Sequence, residues 1–536
     1  MLYNKYAMIQ SLAKKYFKLI GDRFPVMTGS DEFYFLPRIE SFNWEVDSFE
    51  PEVIAQVIRE IKGIQNDLEQ IKPADLDEKI DLRMIRLSMN NIIFHLEDLP
   101  LWRRDPSLYL KILIIALDTS RFPEGRQGKK WLESRLASIL RMLDGARENL
   151  TQVPEIHRNL GLEMIEDVKV FLHSLCKEGL FKEQTFSLPF LEIRDAIERL
   201  RKHLGELTST GEAAVGKELL KRMLIENYGW PHSLASARDQ IEQEIALASE
   251  TLAREGKKID PGKIPDDMIQ RLPTPVLNPR GVLAAYKREV KKIKQFLVEK
   301  NLVTLEHDPG VEVEFTPLAM RGIRSAAAYA APISLDAGPG KYYILPLPRG
   351  PNTQVQKQRL AFIHRQCRFV TAHETYPGHH LLDLARLSNK NPIRRQIELP
   401  LVYEGWACYA ESIPVRAGYF TNPVEALLAP KRRWWRAMRG LADLSYQSGE
   451  ASLDQAAQII VRMGHDPETA MATVRRFALN PGYQMCYTLG TVGFFDLLSE
   501  FAEDLSEREF HNRVLEAGEL PLTEARMRLK ALAGKK

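Results

Sequence analysis

Residues His373 to His380 read HETYPGHH, and Tyr403 to Ser412 read YEGWACYAES. A hydrolytic metal centre needs two imidazoles, a third oxygen ligand and a free carboxylate beside the ion. His373, His379 and Glu404 could supply the ligands. Glu374 could supply the free carboxylate and act as general base. Nitrogen and oxygen donors of this kind favour Zn2+, one ion per chain.

The spacing needs explanation. Two histidines four apart face one side of a helix, but His373 and His379 are six apart. At ~100° per residue they would point ~120° apart on an unbroken helix. Pro377 resolves the conflict. A proline inside a helix loses its own hydrogen bond and clashes with the carbonyl four residues back, here that of His373. Tyr376, which precedes it, is pushed out of the helical region, and Gly378 tolerates the dihedrals a break requires. The segment predicts a helix delivering His373 and Glu374, a kink, and His379 turned back onto the ion. His380 is the rival for the second ligand place, and otherwise stands behind the ligands.

Several residues around this core could assist. Glu411 is seven residues after Glu404 and so nearly on the same helix face. It either orients a ligand histidine or lies on the surface. Cys408, one turn after Glu404, reads as a small core residue. RRWWRAMRGLADLSY (432–446) puts Arg432, Arg436 and Arg439 along one face, with Asp443 a turn beyond. These arginines either pack in salt bridges or bind a substrate carboxylate, with Arg436 the candidate contact. Tyr483 and Tyr487 lie one turn apart after an Asn-Pro-Gly turn, and a phenol can donate to a developing oxyanion; packing is the alternative. Tyr342 and Tyr343, in KYYILPLP (341–348), would line a groove if an extended peptide paired with that strand's edge. A hairpin that only covers the core is the other reading.

The elements that must position these groups are mostly helical. Five segments in residues 1–270 repeat apolar residues at i, i+3, i+4 and i+7: 54–71, 81–99, 131–150, 164–180 and 191–207. His95, His157, His173 and His203 fall on separate segments there and read as surface or satisfied core residues. IDPGKIPDDMIQRLPTPVLNPRG (259–281) is the best boundary, dividing an N-terminal helical region (1–270) from a metal-binding region (271–536). A helix over 282–300 is followed by strand-like stretches at 302–308, 311–317 and 341–348, then by helices to the end.

Composition narrows the classes. The 536 residues are 44% hydrophobic and 27% charged, as in soluble globular proteins. Net charge is 74 − 71 = +3, which provides no strong field for nucleic acid or a membrane surface. The N-terminus has no apolar core of a signal peptide, and LKILIIAL (110–117) is too short to span a bilayer. Four cysteines without a C-x-x-C pair point to reduced thiols and a cytoplasmic location.

HETYPGHH, EGWACYAES and NPGYQMCYTLG together resemble the bacterial proteins grouped as domain of unknown function 885, whose pattern is similar to H-E-x-x-P-G-H-H, E-G-W-A-x-Y-x-E and P-G-Q-x-x-x-Y-x-x-G. VEVEFTPLAMRGIRSAAAY and the strand with Tyr342 and Tyr343 belong to the resemblance, which covers most of 300–500 and, more loosely, the N-terminal half. The group resembles helical zinc peptidases of the gluzincin type, such as thimet oligopeptidase and the dipeptidases related to angiotensin-converting enzyme. In those the third ligand is a glutamate about 25 residues after the second histidine; here 404 − 379 = 25. The resemblance implies His373, His379 and Glu404 as ligands, Glu374 as base and Tyr487 as oxyanion donor. Two positions depart from the pattern. The expected P-G-Q is P-G-Y here, with Gln484 one place later, and Gln447 stands where the group tends to carry a histidine.

The resulting expectation is a mostly α-helical protein, a large multi-helix body with a deep cleft and a small sheet beside the metal-bearing helix. Its expected activity is zinc-dependent hydrolysis of short or unfolded peptides, of an oligopeptidase or carboxypeptidase kind. A metalloenzyme acting on a non-peptide small molecule, or a non-catalytic metal-binding protein, are the alternatives.

Overall fold

The computed structural model describes residues 2–40, 44–118, 122, 125–177, 179–182, 184–305, 307–317, 320–321, 323–324, 327–347 and 354–533. The chain divides into two compact units, Met1–Val215 with Pro317–Arg324, and Gly216–Thr316 with Ser325–Lys536. It is mostly α-helical with one small sheet.

In the first unit the periodic segments become helices Pro51–Glu69, Leu76–Ile93, Gly125–Asn149, Glu155–Leu175 and Ser187–Glu206. Their apolar stripes face inward: Pro51–Glu69 buries Ile54, Val57, Ile61, Ile64 and Leu68. Local chemistry sets the ends. Pro51 occupies a first-turn position that needs no N–H, and Asp75 caps the next helix by accepting from the Glu78 N–H at 2.9 Å. The apolar run at 110–117 lies mostly within the buried helix Pro106–Ala116, and no helix among the described residues is long and apolar enough to cross a membrane. His95 departs from the expectation of a satisfied core histidine. It is buried against Tyr34, Phe35 and Phe94 with neither ring nitrogen hydrogen-bonded, and burial pushes its pKa down to about 3, so it is neutral.

The second unit holds every candidate site residue. Helix Leu234–Ile259 packs along Leu428–Gln447, which packs on Tyr483–Glu500, and that helix lies against Pro400–Ala410. The sheet has the order β1 (Val311–Phe315), β3 (Gly340–Ile344), β2 (Ala328–Ala330). β1 runs parallel to β3, with Val313 opposite Tyr342. β2 runs antiparallel to it, with Tyr329 opposite Tyr342.

One strand expectation is corrected, and one strand arises where none was expected. The described residues of 302–308 are irregular. They continue the end of helix Pro279–Glu299, with the Leu302 N–H bonded to the Leu297 carbonyl at 3.0 Å. The Leu302 carbonyl and the Thr304 N–H turn instead to His511 (3.1 Å) and Asn512 (3.3 Å). Conversely, Ala328–Ala330 is a strand although its alanine-rich sequence favours helix. Tertiary context decides here: Gly340 has no side chain, and the Tyr329 ring crosses β3 where a Cβ would stand, 2.5 Å from the ring. Within VEVEFTPLAMRGIRSAAAY, residues 318, 319, 322, 325 and 326 lie outside the described residues, as do 306 and 348 of the strand-like stretches.

Candidate metal centre

Helix Cys367–Glu374 stops at the expected place, and a new helix, His379–Ser388, starts five residues later. The Tyr376–Pro377 bond is cis. Backbone bonds hold the turn between them: Thr375 N–H to the Thr371 carbonyl (2.9 Å), Gly378 N–H to the Ala372 carbonyl (3.0 Å) and Leu382 N–H to the Gly378 carbonyl (3.1 Å). The Trp406 indole N–H adds a bond to the Pro377 carbonyl at 3.0 Å. Gly378 has no substitute. A Cβ there would lie 1.8 Å from the His373 carbonyl oxygen, so the turn closes through close backbone approach.

The break brings His373 and His379 together, with ring centroids 4.7 Å apart. Glu404, from helix Pro400–Ala410, lies between them. Its Oε2 is 3.6 Å from His373 Nε2 and 3.5 Å from His379 Nε2. These three are the one group of potential metal ligands among the described residues. Donors bound to one tetrahedral zinc at ~2.0–2.1 Å would stand ~3.3–3.4 Å apart, close to the separations seen. Glu404 Oε2 is also buried without a hydrogen-bond partner, a costly state for a carboxylate oxygen unless a cation completes it. The donor set and this orphaned oxygen fit a zinc ion.

Each of the three side chains is held from behind. His373 Nδ1 lies 3.0 Å from Glu411 Oε1, which assigns the proton to Nδ1 and leaves the Nε2 lone pair facing His379 and Glu404. Glu411 is buried and clamped. Arg432 donates two bonds to it, both 2.9 Å, and Arg436 donates from both terminal nitrogens, one at 3.0 Å. Burial works against charge on Glu411, yet the Arg432 and Arg436 guanidiniums hold its carboxyl well below the usual range. Burial opposes charge on Glu404 too, and its contacts with His373 and His379 outweigh it. Tyr403 stacks on the His379 ring at 4.1 Å. The Tyr483 hydroxyl donates to Glu404 Oε1 at 2.7 Å.

Glu374 stands outside this cluster. Its Oε2 accepts the Tyr329 backbone N–H at 2.8 Å, so β2 fixes the carboxylate next to His373. His380 is turned away from the cluster. Its Nε2 lies 2.9 Å from Asp308 Oδ1 and its Nδ1 2.9 Å from the Tyr329 hydroxyl. Tyr376 and Lys294 meet Asp308 Oδ2 at 2.6 and 2.7 Å.

Other expectations change. Tyr342 is fully buried, in edge-to-face contact with Tyr286 and with its hydroxyl 3.5 Å from Thr371 Oγ1. It cannot line a groove. Successive strand residues face opposite sides, so only Tyr343 is on the other, partly open face. Arg436 is not available to a substrate because Glu411 occupies its guanidinium. Tyr487 is half-buried beside Tyr483, ring centroids 5.8 Å apart. Gln447, at the histidine position of the pattern, is buried and donates to the Phe477 carbonyl at 3.0 Å. Sequence reasoning missed Tyr329, Asp308 and Tyr403. The DPG turn at 308–310 and the position of Tyr403 beside Glu404 were the available signals.

Fold and site together define a mostly helical protein with a buried His-His-Glu cluster and an adjacent, separately held carboxylate. The chain belongs to the family described as bacterial protein of unknown function (DUF885), which it matches over residues 38–529. Two solved structures, described as putative lipoproteins, share the fold. The one from Shewanella oneidensis, of unknown function, has a TM-score of 0.77 at 17% identity, over 97% of this chain and 99% of that one. The one from Colwellia psychrerythraea has a TM-score of 0.78 at 16% identity, over 99% of each. No curated protein matches the chain.

Proposed function

We propose that the protein is a zinc-dependent metallohydrolase acting on short or unfolded peptides. The observation that carries this reading is the orphaned Glu404 Oε2, buried with two imidazole nitrogens 3.5 and 3.6 Å away. His373, His379 and Glu404 would hold the ion, which when bound lowers the pKa of a water and polarises a carbonyl. Glu374 takes the proton of the attacking water and returns it to the leaving amine. The Tyr329 N–H keeps that carboxylate aimed, and Tyr487 donates to the developing oxyanion. Tyr483 and Glu411 orient the ligands rather than the substrate. The resemblance of the family to helical zinc peptidases, with a glutamate about 25 residues after the second histidine as here, supports a peptide substrate and an oligopeptidase or carboxypeptidase activity.

Elemental analysis of purified protein, paired with a mixed peptide library, tests this. About one zinc per chain and chelator-sensitive peptide hydrolysis are expected. Full activity without metal would overturn the reading. Stoichiometric metal with no hydrolysis of any peptide would move the substrate to a non-peptide class.

A further inference from the structure

Helix Leu428–Gln447 carries four arginines near the site, and three have fixed partners. Arg432 and Arg436 hold Glu411, and Arg433 holds Glu244 at 2.6 and 2.7 Å. Arg439, one turn beyond Arg436, has no ion-pair or hydrogen-bond partner among the described residues. Its Nε is buried and unsatisfied, while the side chain as a whole is half-buried, so its terminal nitrogens reach solvent. The guanidinium lies 5.7 Å from the Tyr487 ring and 6.0 Å from that of Phe477. Tyr487 neighbours Tyr483, which bonds the Glu404 carboxylate. A guanidinium is a planar fork suited to a carboxylate, and leaving one half-buried and unpaired is costly. Burial lowers its pKa, and Glu404, Tyr487 and Asp443 act on it only through space.

We propose that the Arg439 guanidinium binds a carboxylate of the substrate next to the His373, His379 and Glu404 cluster. The inference rests on the hydrolase reading for what then happens to the substrate. The carboxylate is either the free C-terminus of a peptide or an acidic side chain near the cleaved bond. Either makes the protein selective for anionic peptides, and the first makes it an exopeptidase.

The test is calorimetric titration of the zinc-loaded Glu374→Gln variant, which slows turnover, with three N-acetyl tripeptides. One has uncharged side chains and a free C-terminal carboxylate, one is its C-terminal amide, and one is an amide ending in Asp. At least one carboxylate form should bind about tenfold or more tighter than the neutral amide, the scale of a charge-assisted bidentate contact. The form preferred identifies the source. Adding Arg439→Gln should erase the preference, and Arg439→Lys should reduce it while keeping its sign. Equal affinity for all three, no binding of any, or a preference that survives Arg439→Gln would overturn the proposal. Should Arg439→Gln not fold, the comparison of peptides and the Arg439→Lys variant decide alone. Hydrolysis by the otherwise unaltered protein is followed in parallel. Hydrolysis without carboxylate preference sinks this inference only, whereas preference without hydrolysis sinks the hydrolase reading only.

Discussion

Gly405 and Gly490 meet backbone to backbone. A Cβ on Gly405 would stand 2.5 Å from the Gly490 Cα, and one on Gly490 would stand 2.1 Å from the Leu401 carbonyl oxygen. The contact sets helix Pro400–Ala410 directly on Tyr483–Glu500, so Glu404 and Tyr483 face each other across it. Gly490→Ala should therefore destabilise the protein by about 3 kcal/mol or more and lower zinc affinity with it. A thermal melt and a zinc titration check this; an unshifted melting temperature would show that the helices separate freely.

Glu374 and Glu404 should behave oppositely. Glu374→Gln keeps size and removes basicity, so zinc content should stay near that of the unaltered protein while peptide turnover falls ~10²-fold or more. Glu404→Gln weakens a ligand, so zinc content and turnover should fall together. Loss of metal in the first variant and retention in the second would reverse the two roles.

Glu411 carries the charge balance behind His373. Glu411→Gln leaves Arg432 and Arg436 buried without a counter-charge, which should cost about 3–5 kcal/mol. With His373 no longer oriented, zinc affinity should fall ~10–100-fold. Denaturant melts and competition with a fluorescent chelator measure the two effects separately. Unchanged zinc affinity would reduce Glu411 to a packing residue.

Asp443 gives a pH signature away from the His-His-Glu cluster. It accepts the Gln484 backbone N–H at 3.0 Å, and burial pushes its pKa up from 3.8 to about 7. The folded state thus holds this proton where the unfolded state has released it. Its contribution to stability is full below pH 3.8 and declines as pH rises to about 7. Asp443→Asn should flatten the fall in melting temperature across that window. Parallel curves for the two proteins would place the titration elsewhere.

The convergence of His373 and His379 was legible because their spacing contains a contradiction with one physical solution. Histidines six apart cannot share an ion on a straight helix, and the only breakers between them are Pro377 and Gly378. The helices were legible through their apolar period, and Leu428–Gln447 extends the predicted segment by only a few residues. What failed depended on partners remote in sequence. Tyr342 and Tyr343 look alike, and only burial distinguishes the face against Tyr286 from the other. Arg436 and Arg439 lie on one helix face, and only the position of Glu411 shows which of them is occupied. Ala328–Ala330 carries no strand pattern of its own and is a strand because β3 and Glu374 supply its hydrogen bonds.

The Tyr329 bond to Glu374 also governs how the sheet ends. β2 is a border strand of three residues, and an uncovered border is a template on which other chains add and aggregate. Its central donor is covered by the Glu374 carboxylate, which places a negative charge at that border as well. The side chain assigned to proton transfer therefore also discourages a fourth strand. Any extended chain that docks along β2 must compete with Glu374 for the Tyr329 N–H, which links occupation of the strand to release of the base.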